Sequence, residues 1–281
     1  MSSVQFRNID RATVEGFGEE WRQFDQSQLG DDEARELFDR YFGLFEFNAD
    51  AEGFDLGCGS GRWARLVAPR VRLLHCIDPS DALEVARRNL SEHPNIRLHR
   101  AAANRLPMAD GSQDFGYALG VLHHIPDAQQ ALNEAVRKLK PGGQMLVYIY
   151  YAMENRGAAY RALWRASDVV RKAVSRLPFA ARRVSSDIAA VLVYWPLARI
   201  SLLVERFGGN SSKIPLSAYR SNSFYTLRTD ALDRFGTRLE QRFTRAEIER
   251  LMLHAGLEDI RFSDRVPYWV AIGRRAQLDL A

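Results

Sequence analysis

The sequence predicts an α/β protein with a mostly parallel sheet covered by helices on both faces. Two observations predict it. Short apolar runs alternate with amphipathic stretches at regular spacing from residue 54 to residue 151. The first of these runs opens into a glycine-rich turn, FDLGCGSGR at 54–62, and the second closes on a carboxylate, Asp78. After residue 151 the alternation stops, and it resumes at Thr244.

The elements follow in order. Residues 31–47 predict a helix, because Leu37, Phe38, Tyr41, Phe42 and Phe45 recur at three- and four-residue spacing. Residues 54–56 are a short strand that ends at the glycines. Residues 62–69 start a helix that Pro69 ends. Residues 73–78 are a buried strand, 81–90 a helix and 96–101 a strand. Residues 115–122 form the next strand, introduced by the turn signal ADGSQD. A helix over 128–139 is stopped by Pro141-Gly142-Gly143, and the β-branched and aromatic run QMLVYIYY, 144–151, is a strand. Residues 158–176 suit an amphipathic helix. Residues 187–207 are richer in apolar side chains, with Pro196 kinking or dividing them. Thr244 and Glu247 form a capping box, Gly256 is a helix C-cap, and strands follow over 257–262 and 268–272.

The glycine spacing restricts the ligand. A dinucleotide fingerprint needs a glycine where Arg62 stands, and a phosphate-cradling Walker loop needs Gly-Lys-Ser/Thr, which does not occur. What remains is G-x-G-x-G preceded by Asp55, with Asp78 placed to accept ribose hydroxyls. The expected ligand has a ribose and a base but little phosphate.

Four blocks in order, DLGCGSGR at 55–62, CIDPS at 76–80, RLPMADGSQDFGYALGVLHHI at 105–125 and LKPGGQMLVYIY at 139–150, resemble the class I S-adenosylmethionine-dependent methyltransferases. The resemblance covers 54–151 and 244–273. It implies a Rossmann-like, seven-stranded sheet whose last strand runs antiparallel, with S-adenosylmethionine as cofactor and S-adenosylhomocysteine as product. It implies that Gly57, Gly59 and Gly61, with Cys58 between them, flank the methionine moiety and that Asp55 supports that loop. Asp78 would hold the ribose, Pro79 and Ser80 would line the adenine, Ala103 and Asn104 would flank it, and Leu119 would close the pocket. The acidic residue that related enzymes often carry near Ala102 is absent from the run AAAN.

Methyl transfer needs alignment of an acceptor and, for a hydroxyl, removal of a proton. His124 and, second to it, His123 are the candidate bases, since imidazole titrates near neutrality. One of them alternatively holds loop backbone. Tyr150, Tyr151, Arg220 and Tyr225 are candidate acceptor contacts, with packing as the alternative for the tyrosines and internal charge pairing for the arginine. An Asn/Asp-Pro-Pro-aromatic motif for base amines is missing, and neither cysteine sits in the Pro-Cys pair of a pyrimidine nucleophile. The expected acceptor is an O or N atom on a small molecule, sugar or specialised metabolite, polar or anionic in character. No metal site is expected.

These readings divide the chain into an N-terminal helical segment and possible lid (1–48), a core (49–151 and 244–281) and a helical insertion that caps the substrate (152–243). The aromatic stretch 17–24, FGEEWRQF, is the lid candidate. Between Arg156 and Arg206 ten basic residues face three acidic ones, a net +7 that leaves the rest at −3. Such a segment fits an anionic partner or a solvated arginine-rich face. An RNA methyltransferase using the basic insertion and a peripheral membrane or interaction module with a vestigial cofactor site are the alternatives. Nucleic acid is the less expected partner, since no appended RNA-binding module is recognisable. The first residues lack a secretory pattern, two cysteines fit a reducing compartment, and no run of 18 uncharged apolar residues occurs, so a cytoplasmic protein without a membrane span is expected.

Overall fold

The computed structural model describes residues 8–211 and 214–277. The other residues of the expected terminal and insertion segments lie outside the described residues. The chain divides into two compact units: Met1–Asp25, Arg35–Ala152 and Leu239–Ala281 form the first, Gln26–Ala34 and Met153–Arg238 the second.

The first unit is built on a sheet of β1 (Glu52–Leu56), β2 (Leu73–Ile77), β3 (Ile96–His99), β4 (Gln113–Leu119), β5 (Leu139–Tyr148), β6 (Leu257–Phe262) and β7 (Val270–Arg275). Their order is β3-β2-β1-β4-β5-β7-β6. Strands β1 to β5 pair in parallel, and β7 runs antiparallel between β5 and β6, as the resemblance implied. Chain order reverses between β1 and β4, which opens a crevice at the carboxyl ends of these strands.

The described helices are α1 (Arg11–Gln23), α2 (Asp31–Phe42), α3 (Ala64–Val67), α4 (Ala82–Asn89), α5 (Ala128–Lys138), α6 (Ala158–Val174), α7 (Phe179–Ala189), α8 (Trp195–Arg206), α9 (Phe224–Gly236) and α10 (Arg245–His254). Period-two alternation sends Phe54, Leu56, Met145 and Val147 to the sheet face covered by α5 and α10. Phe115, Tyr117 and Leu146 go to the face covered by α2, α3 and α4. Both faces are therefore buried, which explains the nearly continuous apolar strands.

Two strands are longer than the sequence suggests. β1 begins at Glu52, two residues before the expected start. Glu52 is accommodated because its carboxylate pairs with Arg72 at 2.8 Å and with His75 at 3.1 Å. Gly53 is required because a Cβ there would lie 2.5 Å from the Phe115 ring. β5 begins at Leu139 and runs through Pro141-Gly142-Gly143, with a register shift opposite Gln113 and Phe115 absorbing the irregular residues.

In the second unit, Pro196 does not divide the apolar stretch. Helix runs from Phe179 to Arg206 for 28 residues. A π turn at Ala190–Tyr194 joins α7 to α8, and Pro196 sits in the first turn of α8, where its missing N–H costs little. By length and composition this helix could cross a membrane, although it contains no run of 18 uncharged apolar residues. This helix has a mean hydropathy of 1.6 over its most apolar 18 residues, of which 22% are buried. The sequence criterion missed it because Asp187 and Arg199 interrupt the run. Both find partners inside the unit. Asp187 takes a two-pronged pair from Arg228 at 2.8 and 2.9 Å, and Arg199 donates to the carbonyls of Arg220 and Asn222. The small core of this unit joins Ala190, Tyr194 and Ala198 to Leu227 and Ala231 of α9.

Candidate active site

The glycine turn takes its shape from hydrogen bonds to the neighbouring strand. The N–H groups of Gly57 and Cys58 both donate to the Ile77 carbonyl, at 2.7 and 3.1 Å. Gly59 N–H donates to Asp78 Oδ2 at 3.0 Å, while Asp78 Oδ1 accepts from the Ser80 amide and hydroxyl at 2.8 and 2.6 Å. Asp78 thus ties the turn after β1 to the turn after β2. Gly57, Gly59 and Gly61 have φ of +75°, +53° and +81°, backbone that an L side chain adopts only with strain. Their surroundings differ. A Cβ on Gly57 would strike Val121 at 2.4 Å, one on Gly59 would meet the Trp21 indole at 3.0 Å, and one on Gly61 would strike Leu90 at 2.7 Å.

This turn forms one wall of a cavity of about 930 Å³, its open mouth included. Gly57, Cys58, Gly59, Ser60, Asp78, Pro79 and Ser80 line it, with Ala101, Ala103, Leu119, Gly120, Val121, His124 and Ile125 opposite. Asn8, Ile9, Asp10, Thr13, Val14, Phe17 and Trp21 add an N-terminal wall, and Leu56, Arg62 and Trp63 also line it. The N-terminal wall is fixed. Asn8 exchanges hydrogen bonds with the Asp127 backbone at 2.8 and 2.7 Å. Asp10 caps α1 through the Thr13 amide, and Thr13 Oγ1 accepts from Leu239 N–H at 3.1 Å.

Of the residues singled out from sequence, the cavity gathers Gly57, Cys58, Gly59, Asp78, Pro79, Ser80, Ala103, Leu119 and His124. Gly61 lies behind it, and the packing of Leu90 accounts for its missing side chain. Asn104 is outside the lining. Asp55 is buried under the turn, where burial pushes its carboxyl up to about 8; the Tyr117 hydroxyl works against that rise and the Asp78 charge adds to it. A hydrogen bond between the Cys58 and Cys76 thiols, with burial, pushes Cys58 well above its ordinary value, so it is a filler in the turn rather than a nucleophile.

The two histidines separate. His124 lines the cavity, meets the Phe17 ring at 5.0 Å and donates from Nδ1 to the Leu239 carbonyl at 2.7 Å, which leaves the lone pair on Nε2. His123 is fully buried outside the lining. Its ring stacks on Tyr150 at 3.8 Å, and burial, with His124 and the Arg242 guanidinium nearby, holds it well below the usual imidazole range. Tyr150 lies between His123 and the Arg242 guanidinium, and Tyr151 packs on Tyr268 and Trp269. Arg220 and Tyr225 belong to the second unit. There Arg220 pairs with Glu205, and the Tyr225 hydroxyl accepts from Gln26 N–H at 2.9 Å. Sequence reasoning missed Asp10, Val121 and Ile125. The N-cap pattern of Asp10 before Thr13 was the available signal for the first.

Comparison with known proteins comes from the same region. Residues 54–147 match the family described as "Methyltransferase domain". The uncharacterised 37.1 kDa protein of transposon TN4556 from Streptomyces fradiae is 36% identical over 97 residues, covering 33% of this chain and 28% of that one. The 27-O-demethylrifamycin SV methyltransferase of Amycolatopsis mediterranei is 29% identical over 133 residues, 43% of this chain and 46% of that one. A crystal structure provisionally assigned as a methyltransferase, from Bacillus halodurans, has a TM-score of 0.51 at 16% identity over 80% of this chain and 71% of that one, a likeness of fold. Other relatives are named as N-methyltransferases and tRNA methyltransferases. The chain spans less than half the length of the curated relatives it matches.

Proposed function

We propose that this chain, whose residues 54–147 match a methyltransferase domain, is an S-adenosylmethionine-dependent enzyme that transfers a methyl group to an O or N atom of a small molecule, sugar or specialised metabolite. The carrying observation is the buried Asp78 carboxylate, set at the end of β2, joined to the left-handed glycine turn and facing the cavity.

The residues present fit the cofactor. Glycine at 57 and 59 leaves bare backbone where a side chain would fill the cradle. The Ser60 hydroxyl is buried in the lining with no protein partner, a donor that a polar ligand would satisfy. Asp78 would hold the ribose diol, and Pro79, Ala101, Ala103 and Leu119 offer an apolar slot for the base. When bound, the sulfonium supplies an already activated methyl for in-line displacement. The protein's part is alignment, exclusion of water by Phe17, Trp21, Val121 and Ile125, and acceptance of a proton at His124 Nε2 where the acceptor is a hydroxyl. His123 does not take that role, because it is enclosed, neutral and outside the cavity.

The arginines of the insertion favour the small-molecule reading over the RNA one. Arg171, Arg182 and Arg199 donate to carbonyls of Thr237, Gly236 and Arg220 within their own unit, so much of the +7 is structural. The test is transfer of a radiolabelled methyl group into extract separated into small-molecule, protein and RNA pools. Label in the small-molecule pool supports the reading, and nuclease-sensitive label in RNA overturns it.

A further inference from the structure

The second unit carries an apolar surface that no described residue of that unit covers. Along Phe179–Arg206 the residues Ser186, Ala190, Tyr194, Ala198 and Ser201 are buried and hold the helix to its own unit. On the rest of its circumference Val184, Ile188, Val191, Leu192, Trp195 and Leu203 are each about half exposed or more, Leu192 reaching 69%. α6 repeats the pattern. Leu163, Ala166, Val170 and Ala173 recur at alternating three- and four-residue spacing, all exposed, and Leu177 is exposed just beyond the helix end. Single exposed apolar residues are ordinary, but runs of them on two successive helices are not.

Charge completes the picture. Arg165 and Lys172 stand exposed along the α6 stripe, Arg176 stands exposed in the turn after it, and Arg183 and Arg206 flank the apolar part of Phe179–Arg206. From residue 157 to residue 206 the acids are Asp168, Asp187 and Glu205. Asp168 pairs with Arg171 at 2.7 Å and Lys172 at 3.0 Å, Asp187 with Arg228, and Glu205 with Arg220. No unpaired carboxylate therefore opposes an anionic surface along these helices. Apolar side chains bordered by cations, with the acids neutralised, match the boundary between headgroups and acyl chains.

We infer that α6 and the Phe179–Arg206 helix form a docking surface for an anionic lipid bilayer, on which the helices lie in the plane of the headgroup boundary. Length alone would allow Phe179–Arg206 to span, since 28 residues reach about 42 Å. It does not leave its unit. Its buried side is packed against Leu227 and Ala231, and withdrawing it would strip Asp187 of Arg228 and Arg199 of two carbonyls. Lys172 and Arg176 lie along the membrane with apolar stems inward and charges at the headgroups.

The test is co-sedimentation of the full chain with vesicles of phosphatidylcholine alone and with added phosphatidylglycerol, and no methyl transfer is needed to read it. Wild type should bind the anionic vesicles, more weakly at high salt. The variant Ile188→Gln, Leu192→Gln, Leu203→Gln changes exposed positions only and should keep its melting temperature while losing tenfold or more in partition. Lys172→Gln with Arg176→Gln should lose about fivefold per residue on anionic vesicles and nothing on neutral ones. Absence of vesicle binding by folded wild type overturns the proposal, as does equal binding by the triple glutamine variant. Retention in the membrane pellet through alkaline carbonate extraction overturns the in-plane arrangement in favour of a span. Dimerisation in vesicle-free buffer that the glutamine variant abolishes reassigns the surface to a second copy of this chain.

Discussion

Gly57→Ala is the most exacting test of the turn geometry. Gly57 has φ +75°, and a left-handed backbone costs an L residue about 1–2 kcal/mol. The new methyl would also lie 2.4 and 2.6 Å from the two Val121 methyls, and forcing extra volume into packed space costs about 1–3 kcal/mol. Together the loss is about 2–5 kcal/mol. Gly120 is the control. Its φ is +80° with open space around the missing side chain, so Gly120→Ala should cost the conformational part alone, about 1–2 kcal/mol. Urea denaturation of both variants measures the difference at constant m. Adding Val121→Ala to Gly57→Ala should recover stability beyond additivity, because it removes the clash. Equal losses at the two glycines, with no coupling to Val121, would refute the reasoning.

Other outcomes follow from single residues. The folded Asp55 carboxyl, raised to about 8 by burial, binds its proton more tightly than the unfolded chain does. Its contribution is therefore complete below about pH 4 and is lost as pH rises through about 8, and Asp55→Asn should remove that part of the pH dependence in paired unfolding curves. His123, held neutral, should keep a neutral imidazole in NMR titrations well below the pH at which an exposed histidine protonates. Ala at Arg228 should cost about 1 kcal/mol, because its pair with Asp187 is two-pronged but part exposed; a double-mutant cycle in thermal unfolding measures it. His124→Gln should leave S-adenosylhomocysteine affinity within about threefold while lowering turnover on a hydroxyl acceptor about 100-fold or more, read as a split between kcat and binding.

The parts of the fold governed by local pattern were legible in the sequence. Strand–helix alternation marks β1 to β5, and the glycine turn with Asp78 lies in the cavity because both follow directly from strand ends. What was not legible depends on distant partners. Glu52 and Gly53 look unsuited to a strand until His75, Arg72 and the Phe115 ring are placed beside them. Pro196 looks like a break until a π turn accommodates it. Asn8 and Thr13 enter the cavity wall through contacts with chain more than 100 residues away. Conversely, Tyr150 and Arg220 look like recognition residues in sequence, yet their surroundings are a histidine stack and an ion pair.

Calorimetric binding of S-adenosylhomocysteine to wild type and Asp78→Asn tests the central claim most directly. Asp78 presents a charged acceptor, and hydrogen bonds to charged groups contribute about 1.5–3 kcal/mol, so the variant should bind about 10- to 150-fold more weakly while remaining folded. Saturable binding by wild type with that loss in the variant is the predicted result. No binding by folded wild type, or an unchanged Kd in Asp78→Asn, would contradict the account.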